Sequence, residues 1–132
     1  MNFGRCLLIA GGAILLVGGM LHGYGYRIVE PKFASALTSE PHLLGVFKAL
    51  WWAFAVQFVV VGLIVLRASR LPVGRSVILL CALIPGVTSI LMFHYIGVSI
   101  GPVMNAVASL CILAGGFLMP RARESHPASR MW

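Results

Sequence analysis

The stretch Ala49–Leu66, ALWWAFAVQFVVVGLIVL, carries no charge and one amide, Gln57. At about 1.5 Å of rise per residue it makes a helix about 27 Å long, close to the roughly 30 Å hydrocarbon core of a bilayer. Its N-terminal end supports the same reading. Lys48 sits where a long stem reaches an interface, and Trp51 and Trp52 suit the aromatic belt at that level. Downstream, Arg67–Arg75 (RASRLPVGR) is a short basic loop. The stretch is therefore read as the heart of a transmembrane helix over about 43–66.

Three further runs have the same character. The first follows Arg5 and spans about 6–23. It resembles a signal peptide in having a charged start and an apolar middle, but no A-x-A-like cleavage site follows, so it is read as a retained span. The third, about 76–95, contains Pro85-Gly86, which predicts a kink, with Thr88 or Ser89 able to re-satisfy the freed carbonyls. The fourth, about 102–119, opens on Pro102, a residue suited to a first helical position, and stops at Pro120. The expected fold is all-α, a transmembrane four-helix bundle formed by residues 1–120, followed by a basic tail over 121–132. Between the first two spans lies a long connection. Pro31 and Pro41 are expected to break it, with a short surface helix near Phe33–Leu37.

Composition agrees with lipid as the solvent. Of 132 residues, 60% are hydrophobic and 10% charged, against about 25% charged in a soluble domain. The net charge of +7 resides at the ends of apolar runs, where it acts as a topology signal and a contact for anionic headgroups. No nucleic-acid-binding motif accompanies it, which excludes nucleic acid as a partner. Cys6, Cys81 and Cys111 form no CxxC pair and read as packing thiols.

Alternating the loops between two sides puts Arg5, Arg67, Arg70, Arg75, Arg121, Arg123 and Arg130 on one side. Only Arg27, Lys32 and Lys48 fall on the other. The positive-inside bias makes the first side cytoplasmic, with both termini inside a cell inner (plasma) membrane.

Small residues mark the expected helix contacts, because glycine and alanine let backbones approach closely in lipid. Gly11 and Gly18 share a face of the first span with His22. On the second, Gly45, Ala49, Ala53 and Gln57 form a ridge. On the fourth, Asn105, Ser109 and Gly116 align.

With that topology His22, His42 and His94 all lie near the outer face, and His126 lies in the tail. Glu30 and Glu40 lie on the same side, and imidazole with carboxylate is a metal-ligand set for which His22, His42 and His94 are the candidates; His22 with His94, on different helices, is a set for haem iron. Lys48, Trp51 and Asn105 fall at the same depth, so an outer polar cluster is expected, its members paired with one another or with a ligand. No span carries an acidic residue of the kind a proton-coupled transporter uses. Ser89 and Ser109 are nucleophiles by type only.

His22 followed by Tyr24 and Tyr26, then Pro31, then Leu50-Trp51 opening the next span, resembles a layout of uncharacterised small four-helix integral membrane proteins of bacteria. The resemblance covers about the first half of the chain. It implies a four-helix bundle and carries over no activity or functional residue.

Three functional readings stay open. The first is a non-catalytic, multi-pass membrane protein, either an accessory or packing subunit or a small lipophile-binding protein. Its partners would be the lipid bilayer and a second copy or another membrane protein. The second is a redox, metal or haem protein using the outer histidines. The third is a small transporter.

Overall fold

A computed structural model describes residues 2–71 and 73–119. The expected basic tail, Pro120 and His126 lie outside the described residues, as does Pro72 of the basic loop. The described chain is all-helical: α1 Phe3–Ala36, α2 Pro41–Ala68, α3 Arg75–Tyr95 and α4 Ile100–Leu118. All four are long and apolar enough to cross a membrane.

The ends of the helices follow from local chemistry. The side chain of Asn2 caps α1, its Oδ1 accepting from the Arg5 backbone N–H at 3.2 Å and satisfying one orphan donor of the first turn. Thr38 closes the other end of α1, its hydroxyl reaching the Ala34 and Ser35 carbonyls at 3.0 and 2.9 Å. Pro41 opens α2, where its missing N–H costs nothing. Arg5 then reaches the far end of α2 and donates from Nε to the Ser69 carbonyl at 2.7 Å. A cation there suits the negative end of the helix dipole. Between α3 and α4 the chain turns at Gly97, whose φ of +83° favours a residue without Cβ.

One expectation fails at Pro31. It lies inside α1 and does not break it, and Phe33 to Ala36 continue the same helix. Proline there removes one hydrogen bond to the Arg27 carbonyl. The helix survives because its last turns are zipped to α2. Phe33 stacks on Phe47 with ring centroids 3.9 Å apart, and Glu30 pairs with Lys48. The connection to α2 thereby shrinks to a tight turn.

α1 packs against α2 on one side and α4 on the other, α3 packs against α4, and α2 and α3 barely meet. Glycines set the α1 contacts. A Cβ at Gly12 would lie 3.0 Å from the Gly62 carbonyl oxygen, and one at Gly62 would lie 2.8 Å from that of Gly12. On the other side, a Cβ at Gly11 would lie 2.7 Å from Ile112 and 3.0 Å from the Ala108 carbonyl oxygen. Leu8, Leu15, Phe58, Val65, Ile78, Ala82, Ala108 and Ile112 fill the space between.

The expected contact ridge of α2 is corrected. Gly45, Ala49 and Ala53 are exposed and Gln57 is half-buried. A Cβ at Gly45 would meet nothing within 4 Å. The α2 face that touches α1 runs instead through Trp51, Ala55, Phe58 and Gly62, so the ridge lies on the opposite side. Gly18 is corrected likewise: a Cβ there would also meet nothing within 4 Å.

α3 and α4 are joined by hydroxyls. The Ser89 Oγ donates to the Pro102 carbonyl and the Ser109 Oγ to the Ala82 carbonyl, both at 2.8 Å and both buried. Pro85 lies inside α3, and Pro102 sits in the first turn of α4, after Ile100 and Gly101. The thiols of Cys6, Cys81 and Cys111 are free.

Length distinguishes the two hairpins. With 21 and 19 residues, α3 and α4 reach about 32 and 29 Å, matching a hydrocarbon core. With 34 and 28 residues, α1 and α2 reach about 51 and 42 Å. Gly4 lies against Gly115 and Leu118, and Arg5 holds the end of α2, so the helices are level at that end. The surplus is therefore at the α1–α2 turn.

Candidate functional site

The α1–α2 hairpin brings together most of the chain's unusual side chains. Two antiparallel helices joined by a tight turn place residues equally far from the turn opposite one another. His22 thereby lies flat on Trp51, with centroids 4.2 Å apart and planes 11° from parallel. The Trp51 indole N–H donates to the His22 carbonyl at 2.8 Å. Tyr26 is buried against Phe47, Trp51 and Trp52. The Lys48 Nζ lies 2.6 Å from the Glu30 Oε1 and 5.9 Å from the Tyr26 ring centroid, at cation–π range. The Lys48 ammonium, hydrogen-bonded to Glu30, holds that carboxyl below the usual carboxylate range.

Beside this aromatic seam a groove of about 500 Å³ opens sideways between the two helices. Gly19, Met20, Gly23 and Arg27 line it from α1, and Trp52, Val56 and Val60 from α2. The groove exists because Gly19 and Gly23 offer no side chain where α2 presents Trp52 and valines. A Cβ at Gly23 would lie 3.3 Å from the Trp52 ring. The volume falls in the 300–1,000 Å³ range typical of small-molecule sites, and the walls are mostly apolar, with Arg27 the one charged residue among them.

The expected outer polar cluster separates into pairs. Lys48 is committed to Glu30 and Trp51 to His22. Asn105 is buried between α3 and α4, its amide nitrogen 3.7 Å from the Met92 sulfur. His94 is exposed and meets Tyr95 edge-on. His42 is exposed in the first turn of α2. Among the described residues, no group of three His, Cys, Asp or Glu side chains is placed to hold a metal ion. The metal set His22, His42 and His94 is thus not assembled, because the three imidazoles are carried on different helices, His22 stacked on Trp51 while His42 and His94 are exposed. Of the haem set His22 and His94, the His22 ring stacks on Trp51 and meets Phe58 edge-on, while His94 sits exposed at the end of α3. Ser89 and Ser109 both spend their hydroxyl protons on carbonyl oxygens. Gly11 and Ser109 are buried at helix contacts.

Sequence reasoning missed the groove. Arg27 entered only as a topology charge, and Met20, Val56 and Val60 only as apolar residues. The available signal was Gly19-x-x-x-Gly23, which leaves one helix face bare over a full turn next to an interfacial arginine. Comparison with family models, curated proteins and solved structures finds no match for this chain.

Proposed function

We propose that this chain is a non-catalytic lipophile-binding protein of the inner (plasma) membrane, a four-helix bundle with both termini cytoplasmic. The groove between α1 and α2 carries the reading. It is apolar, opens sideways toward the surrounding solvent, and is sized for a small ligand. In a bilayer that solvent is lipid, so an apolar ligand enters by lateral diffusion without crossing water. The orientation rests on the basic residues, which cluster at the Arg5 end of the helices. The surplus length of α1 and α2 then stands on the outer side.

Native mass spectrometry of the detergent-purified protein tests the reading. The parent is expected to retain an adduct of lipid mass. Val56→Trp, which fills the groove from an exposed position, is expected to lose it while keeping the parent's melting temperature. Identical spectra for the two proteins would overturn lipophile binding at this groove and leave the packing-subunit reading.

A further inference from the structure

Arg27 is the one charged residue lining the groove, and its position relative to the aromatic belt is informative. Tyr24, one turn earlier in α1, and Trp52, on the facing turn of α2, both line the same groove and are exposed. Exposed tyrosine and tryptophan settle at headgroup level in a bilayer. Arg27 therefore lies at or just beyond that level. From it the groove runs down past Gly23 and Met20 to Gly19, eight residues back, about 12 Å toward the membrane centre. A cation at headgroup depth above an open apolar groove matches the charge and polarity order of a phospholipid whose phosphate lies at the interface and whose acyl chain points inward.

Among the described residues Arg27 is also unneutralised. The acid that could pair with it from the next turn, Glu30, is held by Lys48 at 2.6 Å, and Arg27 makes no ion pair among the described residues. Its side chain is exposed. A guanidinium presents a planar fork of donors that fits phosphate oxygens two at a time.

We infer that the α1–α2 groove holds one acyl chain of a phospholipid drawn from the surrounding leaflet, with its phosphate gripped by Arg27. This rests on the lipophile-binding reading above and adds the headgroup and the residue that recognises it. The ion pair between Glu30 and Lys48 has a part in the arrangement, since it leaves the arginine free for the phosphate.

The test is a titration of delipidated protein in detergent, followed by native mass spectrometry. Three probes with the same oleoyl chains are compared: dioleoyl phosphatidylglycerol, dioleoylglycerol, which lacks the phosphate, and oleic acid, which supplies a free anion. Phosphatidylglycerol is expected to bind to the parent more tightly than either of the others. Arg27→Gln should weaken it by about tenfold or more, the scale of one charge-assisted hydrogen-bonding contact. Arg27→Lys should recover part of the loss. Val56→Trp should abolish binding of all three. Among the described residues Arg27 makes no side-chain hydrogen bond or ion pair, and unchanged melting temperatures would verify that the variants fold.

Equal binding of dioleoylglycerol and phosphatidylglycerol, unaffected by Arg27→Gln but abolished by Val56→Trp, would overturn the phosphate inference and leave the groove as a lipophile site. Tighter binding of oleic acid would overturn the choice of a bilayer phospholipid. Binding that survives Val56→Trp would overturn the groove itself, and the inference with it.

Discussion

At Gly12 and Gly62 two backbones come so close that a methyl group on either glycine would lie at or inside 3.0 Å from the other's carbonyl oxygen. No side chain moves to relieve that contact, so the helices themselves must part. Gly12→Leu and Gly62→Leu are each expected to overpack the crossing at a cost of about 1–3 kcal/mol, read as a lower melting temperature in detergent. Gly18→Leu and Gly45→Leu enter open space and should melt like the parent. The contrast measures what the sequence left out. All four glycines look alike as small residues in apolar runs, and helical spacing groups them by face without saying which face has a neighbour. That depends on how the helices are arranged: Gly12 faces Gly62 of α2, Gly4 and Gly11 face α4, and a Cβ at Gly18 or Gly45 would meet nothing. The Glu30–Lys48 pair was hidden for a related reason: two opposite charges are partners only once the turn sets the register between their helices. Its titration is directional. Glu30 has a folded pKa below its ordinary value of 4.5, so its contribution to stability is complete above that value and is lost as the pH falls through the folded pKa. The melting temperature of the parent should therefore drop on acidification through this range by more than that of Glu30→Gln. Equal pH profiles would mean that the pair adds nothing to the hairpin.

The elements themselves were far more legible. Expected spans over about 43–66, 76–95 and 102–119 match α2, α3 and α4 to within a few residues, because uninterrupted apolar length is a strong signal and charges or prolines bound it. α1 was the exception. It exceeds its expected end by more than three turns, since Pro31 reads locally as a breaker and only contacts with α2 overrule it. This makes the sign of one substitution diagnostic. In a loop, proline restricts the unfolded chain, and Pro31→Ala would lower stability. Inside a helix, alanine restores the hydrogen bond to the Arg27 carbonyl and removes the ring's clash with the preceding turn. Pro31→Ala is accordingly expected to raise the melting temperature and slightly increase helical circular dichroism. The α3–α4 hairpin behaves differently, because its buried hydroxyls can be deleted one at a time. Ser109→Ala and Ser89→Ala should each lower stability by about 0.6 kcal/mol, with about 1.7 kcal/mol as an upper bound, the range for hydrogen bonds between helices in lipid.

For the whole molecule, the unequal hairpins turn topology into a prediction about depth. α3 and α4 match the hydrocarbon core in length, and the helices are level at the Arg5 end, so α1 and α2 must either rise beyond the membrane at their shared turn or tilt to remain within it. Exposure separates these outcomes when it is compared at two depths on one helix. Met20 is 61% exposed and Ile28 62%, and eight residues, about 12 Å of helix, lie between them. If Tyr24 and Trp52 mark the interface, Met20 faces lipid and Ile28 faces water. A set of single cysteines in a background with Cys6, Cys81 and Cys111 replaced by alanine reads this directly with a membrane-impermeant maleimide on intact cells. Ile28→Cys and Ser39→Cys are expected to label, and Met20→Cys to stay unlabelled although its side chain is equally open to its surroundings. Gly74→Cys, in the basic loop at the other end, should label only after the cells are permeabilised. The opposite pattern at Ser39 and Gly74 would reverse the orientation. Labelling of both in intact cells would remove the four-span arrangement. An unlabelled Ile28→Cys beside a labelled Ser39→Cys would mean that α1 tilts to keep its length in lipid, which would take Arg27 out of reach of the headgroups and the groove out of register with a phospholipid.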